Sequence, residues 1–530
     1  MPKPVPQDAP PSPATTTPLG RTASRAPWLP WTGLGTLFFL LGAIWAGAMP
    51  LMAGPDEPSH VIWAAAVARG QLSGDLGEGA QDETRPGAGT MVDLPTDYVP
   101  IASLANCYAF YPEEPADCQQ AVAPPVPGEE ARVETFAGQY PPLYYALTGW
   151  PSLFLAAEAA TYAMRLVTAA VVAVLLAWGV WRLARTFGSG WATWGAVTAV
   201  TPMTLFLAGT VNPQALEVAA AFVFWAACLA LARGPSPATT GTYVQAAVSG
   251  ALLVNARSIS PVWALAIVVV ALVVAPRGRW REVVRGRAAR WVGVVAALAA
   301  VAAVGWLAGH PVVVEGELLH PDYGNPLRVA VASLSHTFDH LLGMVGHFGW
   351  LDTPAPPLTT VAWTVAAGVL VLVALTARAE RRLVVGTALL LVAVLGAPAV
   401  LQIPTAAQTG LIWQGRYGLP LAIGVPLLAG AVLAGADPTV RDVVRRVGRV
   451  VLPLLVAGHV AAFLWAARRF SQGTDEPIAA LTPEWSSPLG YLPAVAAYGV
   501  LAVAGGWFAW RALRPGPVPC LDPVPAGRVP

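Results

Sequence analysis

Lysine is almost missing from this sequence of 530 residues: Lys3 is the only one among 31 basic residues. Charged residues of all kinds make up only 12% of the chain. No G-x-x-x-x-G-K-[ST] sequence occurs, and no G-x-G-x-x-G follows a plausible soluble strand, so we expect no ATP-binding domain. The arginines cluster mainly at the ends of apolar runs, so we expect no nucleic-acid partner. Residues 1–27 lack an apolar core, which argues against a cleavable signal peptide.

Apolar residues dominate what is present. They make up 55% of the chain, and the mean hydropathy is +0.57. Many apolar runs are about twenty residues long, which is the length that crosses a bilayer. We therefore predict an all-α polytopic protein of the plasma membrane with about twelve transmembrane helices. The preference for arginine over lysine and the abundant alanine, glycine and proline are typical of a high-GC bacterial genome, such as that of an actinobacterium.

The loops differ strongly in charge, which orients the helices. Residues 51–157 carry fourteen acidic residues against three arginines, so the first long loop lies outside by the positive-inside rule. This predicts large extracytoplasmic loops at 51–158 and 310–358, and both termini in the cytoplasm. Arg468 and Arg469 are the exception, since the count of spans puts them outside.

The predicted transmembrane domain, 29–510, lies between a disordered cytoplasmic tail at 1–28 and a second cytoplasmic tail at 511–530. The predicted spans are 29–50, 160–183, 191–209, 215–231, two short helices within 242–275, 291–309, 359–377, 383–401, 417–433, 451–467 and 492–510. The stretch 242–275 is too long for one span and short for two, and polar residues interrupt it around Arg257. Because a broken helix survives in a bilayer only where protein or water covers its backbone, Arg257 marks a cavity.

Two adjacent carboxylates, Asp56 and Glu57, follow the first apolar run in the stretch G-P-D-E-P-S-H at 54–60. The flanking prolines stiffen this turn, because proline fixes φ and biases the residue before it away from helix. A carboxylate held at the membrane surface is a candidate general base. The alternative is that the pair only caps the helix that follows, since acidic residues are favoured at a helix N-terminus. His60 of the same motif is a candidate substrate ligand.

The outer turn T-G-L-I-W-Q-G-R-Y-G-L-P at 409–420 brings together Gln414, Arg416 and Tyr417 where the chain re-enters the bilayer. A guanidinium here can hold a phosphate with two parallel hydrogen bonds, and the glycines let the backbone approach a ligand. The alternative is that Arg416 snorkels to lipid headgroups, as arginines at helix ends do.

Two further polar residues are expected to face the same site. Arg165 lies near the outer end of the second span, and Asn212 lies in a turn at the same level. A charged residue inside a span is a functional candidate by default. Arg165 could equally pair with Glu158, about two helical turns away on the same face.

Three of the seven histidines stand at helical spacing in the second outer loop: His336, His340 and His347. Together with Asp339 and Asp352 they could bind a divalent metal or a phosphate. The alternative is an interfacial helix whose histidines are solvated. Beyond this metal, the sequence indicates no cofactor.

Two of the four cysteines, Cys107 and Cys118, fall in the first outer loop. An exported compartment permits a disulfide between them, which would staple a loop rich in proline and glycine. Cys228 lies in an apolar helix and Cys520 in the C-terminal tail, where no role beyond packing is expected.

The chain resembles the GT-C superfamily of polytopic glycosyltransferases in the order of its features. These are a first helix followed by an outer D-E pair, a long outer loop, and the aromatic segment Y-P-P-L-Y-Y at 140–145. More narrowly, the chain resembles a bacterial family of predicted membrane proteins of unknown function. The motifs that carry this resemblance are G-P-D-E-P-S-H at 54–60, T-P-M-T-L-F-L-A at 201–208, V-N-P-Q-A at 211–215, F-G-W-L-D-T at 348–353 and Q-G-R-Y at 414–417. It extends over residues 29–510.

In the superfamily, an acidic residue of the first outer loop is the catalytic base, and the donor is a sugar carried on a polyprenyl phosphate or diphosphate. The resemblance therefore implies that Asp56 is the base, with Glu57 as the second choice. It also implies that the segment from Pro141 to Tyr144 borders the donor site, and Tyr140 and Tyr144 are candidate substrate ligands. Tyr140 stands where the superfamily commonly has a histidine.

The expected function is the inverting transfer of a sugar from a polyprenyl-phosphate donor to an envelope glycan, lipid or protein on the extracytoplasmic side. Asp56 would take the acceptor proton, and Arg416 would stabilise the departing phosphate. Arg257 and Arg165 are the other candidates for this cation. The lipid anchor and the surrounding membrane lipids supply proximity, so no nucleotide is needed. A flippase or transporter for lipid-linked glycans and a non-catalytic envelope scaffold are the alternatives. No internal repeat relates the two halves, although transporters often have one.

Overall fold

A computed structural model of the chain describes residues 31–76, 89–310, 319–376, 380–475 and 483–513. The N-terminal tail predicted at 1–28 lies outside the described residues. So does the C-terminal tail, including Cys520, apart from residues 511–513 at the end of the last helix.

Most of the described chain is helical. The helices are α1 (Trp31–Ala48), α2 (Glu57–Ala68), α3 (Leu143–Thr148), α4 (Ala157–Phe187), α5 (Ser189–Ala199), α6 (Pro202–Ala208), α7 (Pro213–Arg233), α8 (Thr240–Val254), α9 (Ser260–Val274), α10 (Arg279–Arg285), α11 (Ala289–Gly309), α12 (Pro326–Ser335), α13 (Thr337–Val345), α14 (Pro357–Thr376), α15 (Arg381–Leu401), α16 (Ala406–Thr409), α17 (Leu419–Ala422), α18 (Gly424–Ala434), α19 (Pro438–Gln472) and α20 (Tyr491–Ala512). The strands are β1 (Asp75–Leu76), β2 (Thr90–Pro95), β3 (Glu130–Thr135), β4 (His347–Phe348) and β5 (Thr353–Pro354).

The described residues contain nine helical segments long and apolar enough to cross a membrane. They are α1, α4, α7, α11, α14, α15, α19, α20 and the segment Gly415–Ala434, which contains α17 and α18. Shorter helices occupy the other predicted positions: α5 with α6, then α8 and α9. The chain is therefore a mostly helical protein with many membrane spans. The count of twelve stays a prediction.

The third predicted helix, 191–209, is wrong as a single helix because α5 and α6 are separate. Pro202 occupies the first turn of α6, where it cannot donate the backbone hydrogen bond that would continue α5. Thr201 caps α6 by accepting a hydrogen bond from the Thr204 amide, and its hydroxyl donates to the carbonyl of Met344. The break thus connects this helix to the second outer loop.

The polar break predicted within 242–275 is present between α8 and α9. Arg257 lies in the turn between the two helices, and its backbone amide donates to the Ser260 hydroxyl. The turn packs near α7, which is buried along its whole length and contacts α4, α8 and α9. A helix that is apolar all round belongs in the centre of the helical domain, and α7 has that position.

The first outer loop departs from the mostly helical architecture, because it contains a small antiparallel sheet in the order β1-β2-β3. Its register pairs Val92 with Val133, so that both buried side chains lie on one face. Cys107 and Cys118 form a disulfide in the same loop, with a Cα–Cα distance of 6.0 Å. The strands β4 and β5 form a second, two-stranded sheet.

The end of α19 explains why arginines occur where the charge rule does not expect them. Arg469 is fully buried, and its guanidinium lies 2.8 Å from the carboxylate of Asp352 in the second outer loop. The same guanidinium donates to the carbonyls of Tyr108 and Glu114 in the first outer loop. Arg469 thus joins the two loops to α19. Its charge is neutralised inside the protein, so it does not help to orient the helix in the membrane.

Candidate active site

The two neighbouring carboxylates of the D-E pair have opposite surroundings. Asp56 has the left-handed backbone conformation, φ 60° and ψ 10°, directly before α2. Its side chain makes no capping hydrogen bond to that helix and is 60% exposed. The capping alternative is therefore wrong for Asp56. Left-handed conformations of non-glycine residues persist only where their surroundings hold them, so this carboxylate is presented in a fixed position.

Glu57, in contrast, is fully buried and its carboxylate is saturated. It accepts hydrogen bonds from the backbone amides of Gly54 at 2.9 Å and Val211 at 2.8 Å. Arg165 donates two more, from Nε at 2.8 Å and from Nη2 at 2.7 Å. A buried carboxylate held by four donors is not accessible to an acceptor hydroxyl. The expectation of a catalytic Glu57 is therefore wrong, and the residue fixes the turn that presents Asp56.

Arg165 is likewise a structural residue and not a substrate ligand. Besides the pair with Glu57, its guanidinium donates to the carbonyls of Ala46, Met49 and Pro50, where α1 ends. No part of the side chain is exposed, so an incoming ligand cannot reach it. The alternative pairing with Glu158 is also wrong, because the tight packing of α1 against α4 places Arg165 under the turn that carries Glu57.

The N-terminus of α7 holds both halves of the site. Asn212 caps α7 by accepting a hydrogen bond from the Gln214 amide at 2.9 Å, and its Nδ2 donates to the carbonyl of Pro55 at 3.2 Å. Gln214 Nε2 donates to the carbonyl of Arg416 at 2.8 Å. Asn212 therefore positions the Asp56 turn, and the prediction that it faces a ligand is wrong. Gln214, which lies in the V-N-P-Q-A motif, was missed.

Arg416 is the cation beside Asp56. Its Nη2 lies 3.4 Å from Asp56 Oδ2, and its guanidinium carbon lies 5.3 Å from the ring centre of Tyr417. The side chain is only 3% exposed, so the snorkelling alternative is wrong. Neither Nε nor Nη1 has a hydrogen-bond partner among the described residues. A buried guanidinium with two nitrogens free to donate is suited to an anionic oxygen.

A second arginine, Arg257, also packs against Tyr417. Its guanidinium lies 4.9 Å from the ring centre of Tyr417 and 5.8 Å from that of Tyr140. Its Nη1 lies 3.3 Å from Glu217 Oε2, and the Ser260 hydroxyl donates to Glu217 Oε1 at 2.7 Å. The sequence analysis missed Glu217, although a single carboxylate in the apolar run of α7 is a signal that could have found it.

His60 completes the cluster. Its Nδ1 lies 2.9 Å from the hydroxyl of Tyr145, and its ring packs edge-on against Tyr140, with ring centres 5.5 Å apart. Burial lowers the pKa of His60 well below its usual value, and the positive charges of Arg257 and Arg416 lower it further. The imidazole is therefore neutral at physiological pH, and it can exchange a hydrogen bond without adding a third positive charge.

Tyr144 does not belong to this cluster, although the sequence resemblance placed it beside the donor site. Its side chain is 2% exposed, and its hydroxyl bonds to Thr168 Oγ1 at 2.9 Å. The residue therefore packs α3 against α4. Of the Y-P-P-L-Y-Y segment, Tyr140 and Tyr145 are the residues that reach the cluster.

A cavity of about 260 Å³ adjoins the cluster through Arg416 and Gln414. It is lined by Met203, Ser333, His336, Asp339, His340, Gly343, His347, Leu351, Gln402, Leu411, Trp413, Gln414, Gly415 and Arg416. The predicted histidines are all in this wall, but they do not converge as metal ligands must. His336 pairs with Asp339 at 3.2 Å on the exposed surface, and its ring centre is 6.4 Å from that of His340. In the part of the chain that is described, no three histidine, cysteine or acidic side chains come together as a metal site.

Two crystal structures of ArnT from Cupriavidus metallidurans are similar to this fold. The structure bound to undecaprenyl phosphate is 13% identical, with a TM-score of 0.43, over 91% of this chain and 76% of that chain. The apo structure is 14% identical, with a TM-score of 0.44, over 91% of this chain and 77% of that chain. Similarity at this level carries no information on activity or substrate. No curated protein matches the sequence.

Residues 39–425, well over half of the chain, match the family described as Predicted membrane protein (DUF2142). This range includes the Asp56 turn, the N-terminus of α7 and the Arg416 turn, which together form the candidate site. The chain therefore belongs to the DUF2142 family of predicted membrane proteins.

Proposed function

We propose that this chain is an inverting membrane glycosyltransferase of the GT-C type. It transfers a sugar from a polyprenyl-phosphate donor to a hydroxyl of an envelope glycan, lipid or protein on the extracytoplasmic side of the plasma membrane. Asp56 is the general base, and Arg416 binds the phosphate of the donor.

The observation that carries this proposal is the contrast between Asp56 and Glu57. An enzyme that activates a hydroxyl needs one carboxylate that is fixed in place but free to accept a proton. The carboxylate of Glu57 accepts four hydrogen bonds inside the protein, and these hold the turn rigid. Asp56, one residue earlier, keeps an exposed carboxylate, and its side-chain partner among the described residues is Arg416, at a long distance of 3.4 Å. Asp56 can therefore accept a proton from a substrate, because it is the Glu57 carboxylate that holds the turn in place.

The reaction follows from these positions. The acceptor oxygen attacks the anomeric carbon of the donor sugar while its proton passes to Asp56, and the bond from that carbon to the phosphate oxygen breaks on the opposite side. A single displacement of this kind inverts the configuration at the carbon. Negative charge grows on the departing phosphate, and a fixed guanidinium stabilises this charge more in the transition state than in the ground state. Nε and Nη1 of Arg416, free among the described residues, are the donors for it.

Arg257 supplies a second positive charge, and its surroundings support a role near the donor. Glu217, which accepts a hydrogen bond from Ser260, pairs with its guanidinium, while Tyr140 and Tyr417 pack against it. These contacts restrict the orientation of the side chain before any substrate arrives, which lowers the reorganisation needed in the reaction.

The test is an assay with purified full-length protein in lipid nanodiscs. Polyprenyl-phosphate sugars are supplied with candidate glycan and lipid acceptors, and products are identified by mass spectrometry and by the anomeric configuration of the new linkage. We expect a new glycosidic bond of inverted configuration. Translocation of the lipid without a new bond, measured in proteoliposomes, would indicate a flippase instead. Binding without either outcome would indicate a scaffold.

A further inference from the structure

The helices α12 and α13 have two unlike faces. The outward face carries large exposed apolar side chains at helical spacing: Leu327, Val331, Leu334, Phe338 and Leu342. The rest of the helix pair supplies five of the residues that line the cavity beside Arg416: Ser333, His336, Asp339, His340 and Gly343. His347, just after α13, is a sixth. Such two-faced helices are typical of a membrane surface, with the apolar side towards lipid. We therefore expect the cavity to open beside the membrane, on the polar side of this helix pair.

The wall of the cavity contains unpaired hydrogen-bonding groups of both kinds. Among the residues the structure describes, Nδ1 of His340, Nε1 of Trp413, Oε1 of Gln414 and two nitrogens of Arg416 lack partners. The Arg416 and Trp413 nitrogens can only donate, whereas Gln414 Oε1 can only accept. These atoms are themselves buried, and leaving buried polar atoms unpaired costs free energy. Small side-chain movements towards a ligand that both donates and accepts hydrogen bonds would therefore be favourable.

This mixture excludes most classes of ligand. An inorganic anion would be attracted by Arg416, but the carboxylate of Asp339 in the same wall would repel it, whereas an uncharged ligand meets no such conflict. A metal ion would need converging ligands, which the described residues do not provide. A purely apolar ligand would leave the polar atoms unpaired. An uncharged sugar offers hydroxyls that donate and accept, and the indole ring of Trp413 offers an apolar surface for the C–H face of the sugar.

We propose that this cavity is a saccharide subsite, which binds one uncharged sugar ring of a lipid-linked saccharide. The volume of about 260 Å³ is near the lower end of small-molecule sites, so it admits a single ring and not a polymer. Arg416 contributes to the wall and also contacts Asp56, so the subsite adjoins the base. The assignment of the bound ring to a lipid-linked saccharide rests on the proposed function, while the binding of a sugar ring does not.

The test measures binding without turnover. Full-length protein in nanodiscs is titrated with the methyl glycosides of glucose, galactose, mannose and arabinofuranose, and saturation-transfer NMR detects the bound sugar. At least one of them should bind. Trp413→Ala should weaken this binding about tenfold, which corresponds to about 1.4 kcal/mol. Asp339→Asn should weaken it as well, and this exposed side chain can be changed without risk to folding.

For inorganic phosphate, titrated in the same way, the Asp339→Asn substitution should change binding in the opposite direction. Asp339→Asn removes a negative charge, so it should strengthen phosphate binding while it weakens sugar binding. The matched control is Asp322→Asn, which changes an exposed carboxylate of the same outer loop that pairs with Arg328 outside the cavity. It should leave sugar binding unchanged. The same sugar on a polyprenyl phosphate, compared with its free methyl glycoside, shows whether the lipid-linked form is preferred.

Two results would overturn this proposal. The first is that none of the glycosides binds the parent protein. The second is that sugar binding occurs but is equal in the parent, Trp413→Ala and Asp339→Asn proteins. The Asp56→Asn protein separates this proposal from the proposed function, because it should still bind the sugar even though turnover is lost. If Asp56→Asn kept its turnover while the cavity variants lost sugar binding, the base assignment would fail and the subsite would stand.

Discussion

Replacing Glu57 by glutamine should destabilise the protein far more than its position beside an exposed residue would indicate. The carboxylate is fully buried and accepts four hydrogen bonds, two of them from Arg165. The amide of glutamine keeps one acceptor oxygen, but its NH₂ group would point at N–H donors. Arg165 would also lose its counter-charge in a place with no access to water.

The magnitude follows from the loss of one partner of a buried ion pair, which costs about 3–5 kcal/mol. Whole domains are stable by only about 5–15 kcal/mol, so the Glu57→Gln variant should unfold at a clearly lower temperature or denaturant concentration. The assay monitors unfolding of the detergent-solubilised protein by its tryptophan fluorescence. A refolding step is the control for irreversible unfolding. Because the two side chains act together, Glu57→Gln and Arg165→Gln should be non-additive, with a coupling of about 0.5–3 kcal/mol.

Glu158→Gln is the matched control, because Glu158 is exposed and was the alternative partner of Arg165. It should change stability by no more than about 0.5 kcal/mol. A Glu57→Gln protein as stable as the parent, with a destabilised Glu158→Gln protein, would refute the buried network.

Three further outcomes are expected. Arg416→Lys should weaken donor binding although it keeps the charge, since lysine lacks the planar fork that holds two phosphate oxygens; unchanged binding of a polyprenyl-phosphate sugar would argue against phosphate contact. In intact cells, a membrane-impermeant thiol reagent should label a Glu129→Cys variant but not a Val284→Cys variant, because the positive-inside rule predicts that the arginine-rich connections lie in the cytoplasm; reversed labelling would invert the topology. The pKa of His60 is lowered by burial, so below about pH 6.5 the unfolded chain binds a proton that the folded chain does not, and stability should decrease with falling pH by up to about 1.4 kcal/mol per unit. His60→Gln should flatten this slope between about pH 7.5 and pH 5, and an equal slope in both proteins would contradict the buried, neutral imidazole.

The helices could be predicted from sequence because hydropathy and loop charge are local properties. The break between α8 and α9 was visible for the same reason, as polar residues interrupt an apolar run around Arg257. The division of the third helix into α5 and α6 was also signalled locally, by Pro202. It was overlooked because the length of the apolar run fitted one span.

The roles within the site could not be predicted in this way because they depend on distant partners. Nothing in the D-E pair tells which carboxylate turns inward; that is decided by Arg165, which lies 108 residues further along the chain. Local helical spacing favoured Glu158 as its partner, and only the packing of α1 against α4 shows otherwise. Arg469 was an exception to the charge rule for the same reason, since its partners lie in two separate loops.

The most direct test of the account is the turnover of Asp56→Asn in the glycosyltransferase assay, with the stability of the variant measured in parallel. The exposed carboxylate makes few contacts, so the variant should fold like the parent. The amide cannot accept the acceptor proton, so turnover should decrease about a hundred- to ten-thousand-fold, which is the usual effect of losing a general base. A parent protein that forms a glycosidic bond, with an Asp56→Asn protein within a few-fold of its rate, would contradict the account.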